Sequence, residues 1–157
     1  MPTDKIQHHH LLIRAETVHC PAEEDKDKIK KFVMKLIDDI DMKALGEPHV
    51  YYVNTPKYNE GITAVTTIQT SHIAFHFWNT PNPATLHSDG TCLLQFDIYT
   101  CGKLTRKQIH HILHMLTPFK PCHVDVTLLN RKYSLEVDLN EQWNKSESSW
   151  SSWISSL

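Results

Sequence analysis

The fold and the chemistry of this chain are decided by the stretch Thr70-Ser71-His72-Ile73-Ala74-Phe75-His76-Phe77-Trp78. A second stretch has a similar content of aromatic and β-branched residues: Phe96-Asp97-Ile98-Tyr99-Thr100-Cys101-Gly102. Both predict β-strands. Each carries a reactive side chain where a strand requires none, Ser71 at the start of one and Cys101 at the end of the other. His76 adds a side chain that exchanges protons near neutral pH, so the three residues indicate a candidate site.

Each of these three residues, taken alone, is more often structural than catalytic, so the hypothesis rests on their combination. The junction before Ser71 adds an observation. A segment rich in β-branched residues runs from Ile62 to Ile68, and the next strand follows at Thr70 without Gly, Asn or Pro between them. A plain hairpin uses such residues at its turn. The junction therefore suits a chain that is cut there.

The two stretches resemble one protein family. The order Ser71-His72-Ile73, then His76 and Trp78, is similar to Ser-His-(Ile/Leu)-x-(Ile/Val)-His-Thr-(Trp/Tyr)-Pro-Glu of the prokaryotic-type S-adenosylmethionine decarboxylase proenzymes. The second stretch is similar to their Asp-(Ile/Val)-Phe-Thr-Cys-Gly. An opening His-Leu-Leu strand also agrees, and the resemblance spans roughly residues 8 to 130.

The resemblance implies a self-processing enzyme. The family's serine at Ser71 attacks the carbonyl of Thr70, and β-elimination then cuts the chain between these residues into segments 1–70 and 71–157. The new N-terminus becomes a pyruvoyl group, which forms a Schiff base with the substrate amine and accepts the electrons left by departing CO₂.

The resemblance also assigns roles to individual side chains. His76 assists processing, Cys101 returns a proton to the product carbon, and Trp78 contacts the substrate. The implied substrate is S-adenosylmethionine, whose decarboxylated product donates an aminopropyl group in spermidine synthesis. The implied assembly is a homodimer of cleaved protomers, joined sheet to sheet.

One departure from the family concerns the substrate. The family's Trp-Pro-Glu is replaced by Trp78-Asn79-Thr80, and the loop 79–91 is longer than expected. The family's glutamate is expected to hold the ribose hydroxyls, and threonine lacks a carboxylate for that role. Asp89 or Glu60 could take its place.

Three alternatives therefore stay open. The chain could be a pyruvoyl-dependent decarboxylase of another amino acid. It could be an unprocessed, non-catalytic homologue that acts as a binding or regulatory subunit. A Cys/His hydrolase using Cys101 and His76 is the third, but the sequence places neither an oxyanion hole nor an orienting acid for it.

Composition limits the other classes of function. The 157 residues predict one soluble domain over residues 1–140, followed by a Ser/Trp-rich tail over 141–157. A net charge of −2 without a basic cluster argues against a nucleic-acid partner. No apolar run of membrane-spanning length and no signal peptide are visible, which favours the cytoplasm. Four cysteines without a CxxC pair are expected to be reduced thiols.

Periodicity predicts the fold. Helices are expected over 23–41 and 105–116, and strands over 11–13, 49–54, 62–68, 70–78, 93–100, 123–129 and 132–139. Short connections favour antiparallel pairing, giving an α+β two-layer sandwich with both helices on one face. The other face is expected to carry four apolar residues that a second copy would cover: Phe75, Phe77, Phe96 and Ile98.

Two groups of histidines are close enough in sequence to share a metal ion. His8-His9-His10 runs directly into the first strand, and His110 and His114 are four residues apart on the second helix. The helix lacks the acid that a metalloprotease needs, and its histidines are expected on a solvated face. No metal site is predicted from either group. The tail tryptophans are expected either to share a docked helical face or to be disordered.

Overall fold

The fold is an antiparallel sheet with helices, as described for residues 6–79 and 90–157 by a computed structural model. The described strands are β1 His9–Thr17, β2 His49–Val53, β3 Gly61–Ile68, β4 Ser71–Trp78, β5 Cys92–Thr100, β6 Pro121–Asn130 and β7 Glu136–Asn144. The described helices are α1 Lys26–Asp39, α2 Arg106–Met115 and α3 Trp150–Ser156. The prediction of an α+β fold with a mainly antiparallel sheet is confirmed.

The strand order is β2-β3-β4-β5-β1-β6-β7. β1 therefore lies in the middle of the sheet, with β5 on one side and β6 on the other. Its alternating residues Leu11, Ile13 and Ala15 are at most 1% exposed. A cut between β3 and β4 would leave β1 hydrogen-bonded on both sides to strands of the other segment.

The sheet face that the helices cover contains the four apolar residues predicted on the open face. Phe75, Phe77, Phe96 and Ile98 are at most 3% exposed within one chain. The Phe75 ring centroid lies 5.7 Å from that of Phe32 in α1. The prediction that a second copy must cover these residues is therefore wrong. Alternation correctly separates the two faces of β5, but it does not identify which face the helices cover.

The two predicted helices are present, with shorter bounds than the sequence suggested. Glu23–Asp25 forms a 3₁₀ turn, and the α-helix begins after it. Thr105 caps α2 as predicted, since its Oγ1 accepts the backbone N–H of Gln108 at 3.2 Å. The Gln108 side chain accepts the Thr105 N–H at 2.8 Å in return, which completes a capping box.

The C-terminal region is ordered and packs on the body. β7 begins at Glu136, so the predicted start of the last strand at residue 132 is wrong, because residues 131–135 form the connection. Trp143 is 3% exposed and Ile154 is fully buried. Of the two tail alternatives, docking on the body is the one found. Trp150 and Trp153 lie in α3, whereas Trp143 lies in β7 and not on a helical face. The domain boundary at residue 140 stays a prediction, and β7 runs across it.

Two of the four cysteines are joined. Cys20 and Cys92 form a disulfide with a Cα–Cα distance of 6.0 Å, whereas Cys101 and Cys122 are free. The expectation of four reduced thiols is therefore wrong for this pair. A separation of 72 residues gave no indication that the two side chains meet. Within the described ranges, no helix has the length and apolar character needed to cross a membrane.

Candidate active site

The β3–β4 turn places unusual backbone geometry at the candidate serine. Ile68 pairs with Ser71, so only Gln69 and Thr70 form the turn. Ser71 has a φ of +148°, a conformation that costs a residue with a side chain about 1–3 kcal/mol. The Gln69 N–H donates to the Lys43 carbonyl at 2.8 Å and so fixes the turn. The turn contains neither glycine nor asparagine, and Ser71 is the residue that adopts the unusual backbone conformation.

The carbonyl before Ser71 is held by the second candidate residue. Ser71 lies opposite Thr100 in the β4–β5 ladder, which brings Cys101 beside the 70–71 peptide. The Cys101 backbone N–H donates to the Thr70 carbonyl oxygen at 2.9 Å. A donor directed at this oxygen would also stabilise the negative charge that forms there if the carbonyl carbon were attacked. Ser71 and Cys101 are thus brought together.

A polar cluster occupies the other face of the sheet beside Ser71. His10 donates from Nε2 to the Asp97 carboxylate at 2.8 Å, and His72 Nε2 lies 3.5 Å from the same oxygen. Burial acts to raise the pKa of Asp97. The hydrogen bonds and charges of His10 and His72 outweigh that effect, so the pKa lies below its usual value. The cluster therefore keeps an ionised carboxylate next to the residue that follows Ser71.

Arg131 extends this cluster. Its Nη1 lies 3.3 Å from His10 Nδ1, and arginine can only donate. Nδ1 of His10 is thus the acceptor and Nε2 carries the proton given to Asp97. The Arg131 guanidinium lies 4.5 Å from the centroid of the Tyr99 ring. The Tyr99 hydroxyl is hydrogen-bonded to His8 Nδ1 at 2.8 Å, so β1, β4, β5 and two residues outside the strands contribute side chains to one network.

The histidine groups considered as metal ligands have other contacts. His9 is 5% exposed on the opposite face, and its Nδ1 accepts the Leu104 N–H at 2.9 Å. Burial lowers its pKa, against the raising effect of Asp138. His110 on α2 is hydrogen-bonded to the Leu157 carbonyl at 3.1 Å. Across residues 6–79 and 90–157, no three His, Cys, Asp or Glu side chains are arranged to hold a metal ion.

The family model of S-adenosylmethionine decarboxylase matches residues 9–132, which is more than half of the chain. The chain belongs to the S-adenosylmethionine decarboxylase family. The match includes both stretches that carry the resemblance and every residue of the site described so far except His8. It ends within the connection before β7, so β7 and α3 lie beyond the part shared with the family.

His76, the third residue that the family motif indicates, lies away from Ser71 within one chain. It is five residues further along β4, which corresponds to about 16 Å. It is hydrogen-bonded to Thr63 on the neighbouring β3. Burial lowers its pKa, against a raising effect of Asp97. One copy of this family member therefore does not bring Ser71 and His76 together.

Trp78 lies still further from Ser71, at the opposite end of β4. Its Nε1–H donates to the Asn59 side chain at 2.9 Å. Glu60, one of the carboxylates considered for the ribose, is at this end and accepts the Tyr52 hydroxyl at 2.5 Å. Burial, and then the hydrogen bond to Glu60, raise the pKa of Tyr52 to about 12. Thr80 and Asp89 lie outside the described residues.

Sequence reasoning missed several members of the cluster. Asp97 and His72 stand inside the two family-like stretches, so the motif itself was a signal for them. His10 was considered only as a metal ligand. Arg131 carries no local signal, because its position depends on β6 lying beside β1.

Proposed function

We propose that this protein is a pyruvoyl-dependent decarboxylase of S-adenosylmethionine that forms its own prosthetic group by cleavage between Thr70 and Ser71. The observation that carries the proposal is the geometry of this peptide. Its carbonyl oxygen accepts the Cys101 N–H at 2.9 Å, and the residue after it is a serine with a φ of +148°. A polarised carbonyl and a strained peptide beside a hydroxyl favour an acyl shift.

The cleavage takes place on the chain's own atoms. Ser71 Oγ attacks the Thr70 carbonyl carbon, and the Cys101 N–H stabilises the charge that collects on Thr70 O. The C–N bond breaks as the ester bond remains, and the hydroxyl proton passes to the nitrogen. Loss of the Ser71 Cα proton then breaks the Cβ–O bond and releases Thr70 as a carboxylate. One water converts the remaining dehydroalanine to a ketone and ammonia.

The residues around this peptide fit a group made from Ser71. Thr70 Oγ1 is buried and has no hydrogen-bond partner in the described part of the chain. Such a hydroxyl is costly to leave unpaired, and it is a donor available to a new acceptor. A pyruvoyl ketone binds a substrate amine and accepts the electron pair left when CO₂ departs.

Cys101 supplies the proton in the proposed turnover. It is a free thiol at the end of β5, partly exposed to solvent, and its backbone adjoins the 70–71 peptide. The thiol proton passes from Sγ to the carbon that has lost CO₂. The neighbouring cluster of Asp97, His10 and His72 carries both charge and exchangeable protons beside this position.

A second copy of the chain would complete the site. His76 and Trp78 are about 16 and 23 Å along β4 from Ser71, too far to act on it within one chain. They lie on the sheet face that carries His72, a face not covered by the core. Two copies packed through this face in opposite directions would bring His76 and Thr63 of one to Ser71 of the other.

A second substrate class follows from residue 80. A threonine stands where the family motif has the glutamate expected at the ribose. A smaller amino acid without a ribose would not need that carboxylate. This second candidate keeps the same cleavage and the same roles for Ser71 and Cys101. Release of CO₂ from S-adenosylmethionine and from a panel of amino acids separates the two candidates.

The test of cleavage is the intact mass of the purified protein under denaturing, reducing conditions. We expect two fragments, residues 1–70 and 71–157, the second with a blocked N-terminus. Ser71→Ala should give one full-length mass, whereas Ser134→Ala in an exposed connection should cleave normally. A full-length mass for the wild-type protein would instead support a non-catalytic binding or regulatory subunit.

A further inference from the structure

The disulfide crosses the proposed cleavage point. Cys20 precedes the 70–71 peptide and Cys92 follows it, at a sequence separation of 72. Their Cα atoms are 6.0 Å apart, within the range that disulfides adopt. Cleavage opens the loop that this bond closes, so after cleavage the same bond joins two separate chains.

The segment that carries Cys20 is also held to the later part of the chain by hydrogen bonds. The N–H groups of Val18 and His19 donate to the carbonyls of Lys120 and Phe119, each at 3.0 Å. The Asn79 side chain donates to the Pro21 carbonyl at 3.0 Å. All three partners lie in residues 71–157. These bonds hold Cys20 beside Cys92 whether or not the chain has been cut.

We propose that the Cys20–Cys92 disulfide covalently links the two fragments of the processed enzyme. The proposal rests on the cleavage proposed above. The link prevents the fragments from separating when the protein unfolds. Refolding of linked fragments is therefore intramolecular, whereas refolding of unlinked fragments requires two chains to meet.

The bond forms by exchange with a small-molecule disulfide such as oxidised glutathione. Cys92 is 3% exposed and Cys20 is more accessible, so the Cys20 thiolate attacks the reagent first and releases one thiol. The Cys92 thiolate then attacks Cys20 Sγ and releases the second thiol. The two cysteine sulfurs are oxidised, the reagent is reduced to two thiols, and two protons leave the protein.

The thiol at the candidate site takes no part in this exchange. Cys92 and Cys101 lie nine residues apart along β5, about 30 Å. Cysteines so far apart cannot be bridged without moving the backbone. Linking the fragments therefore leaves Cys101 available for its proposed role.

The experiment compares masses with and without reduction. The wild-type protein is purified without reductant, equilibrated with oxidised and reduced glutathione, denatured and alkylated. We expect one species with the summed mass of both fragments and two alkyl groups before reduction. After reduction we expect two fragments with four alkyl groups in total. Cys20→Ser should give two fragments under both conditions, whereas Cys122→Ser should behave like the wild-type protein apart from its one lost thiol.

Two results would overturn the proposal, and they separate its failure from that of the proposed function. Two fragments without reduction, with all four thiols alkylated, would remove the link and leave the cleavage. A single chain after reduction would remove the cleavage, and the alkyl count would still report the disulfide. Should Cys20→Ser fail to fold, Ser71→Ala provides the count on an uncut chain.

A refolding readout tests the consequence of the link. After denaturation and dilution, recovery of CO₂ release from oxidised protein should depend on protein concentration only through the pairing of two copies. Reduced and alkylated protein cannot serve as the unlinked reference, because alkylation also blocks Cys101. Protein kept in unmodified, reduced form is used instead, and its recovery should rise more steeply with concentration, because its fragments must also meet. Equal concentration dependence in both forms would contradict the proposal.

Discussion

The two ends of the β4–β5 ladder differ in almost every physical respect. At the Ser71 end, a positive φ, a held carbonyl and a free thiol adjoin a cluster of ionisable side chains. At the Trp78 end, Cys92 is bonded to Cys20 and is 3% exposed. Ser71 pairs with Thr100 at one end, and Trp78 pairs with Leu93 at the other.

The difference shows that this sheet carries backbone strain at the Ser71 end and is restrained by a covalent cross-link at the Trp78 end. An unusual backbone conformation persists only if the surrounding structure fixes it. Here the fixed surroundings are the ladder itself, which ends in a covalent cross-link at the far side. The polar end can then carry reactive groups without relying on them for stability.

The largest effect is expected from the thiol at the Ser71 end. Cys101→Ala retains the backbone N–H that contacts Thr70, so cleavage should proceed. Loss of the proton donor should lower turnover by about 10²–10⁴-fold. Intact mass and CO₂ release measure the two effects separately. Cys122→Ala, the matched change at the other free cysteine, should leave both unchanged; equal turnover in the two variants would exclude Cys101 from the reaction.

The next effect concerns the cross-linked end. In the uncut Ser71→Ala chain, the disulfide closes a loop of 72 residues. Its reduction should lower the free energy of unfolding by about 4 kcal/mol, chiefly because the unfolded chain gains conformational freedom. Denaturant unfolding with and without reductant measures the change. The same comparison on Ser71→Ala/Cys20→Ser should show no dependence on reductant, and a dependence there would assign the effect to another group.

A smaller, twofold effect tests whether the two ends meet between subunits. Mixed dimers of one Ser71→Ala subunit and one His76→Ala subunit would contain one intact site, formed by Ser71 and His76 from different chains. They should retain about half of the wild-type turnover, since a twofold assembly has two equivalent sites. Dimers purified through two different affinity tags provide the measurement. Inactive mixed dimers, with both parent variants inactive, would place the whole site within one chain.

The smallest effect is a pH dependence of stability from His76. Burial lowers its folded pKa below the usual 6.5. As pH falls through 6.5, the unfolded chain therefore binds a proton before the folded chain does, and stability decreases until the folded pKa is reached. Above 6.5 the contribution is fully present. Unfolding free energies between pH 5 and 8 should fall less steeply for His76→Gln, and the remaining slope includes His9, whose pKa is lowered in the same direction.

Local signals predicted much of the fold and part of the site. The apolar stripe of α1 and the Thr105 cap of α2 depend on neighbours within a few residues, so their sequence patterns sufficed. Ser71 and Cys101 were indicated by family-like stretches and lie side by side. The cluster around Asp97 was not assembled in advance, because His10 and Arg131 reach it from β1 and from the residue after β6.

The sequence by itself determined the type and order of the elements, the family and the candidate serine and thiol, because hydrophobic periodicity and short motifs are local properties. Only the tertiary structure decided the rest: which sheet face the helices bury, that β1 lies between β5 and β6, that Cys20 meets Cys92, and that His76 is remote from Ser71. These outcomes depend on pairings between residues tens of positions apart. Such pairings are fixed by the packing of the whole core, and no single stretch encodes them.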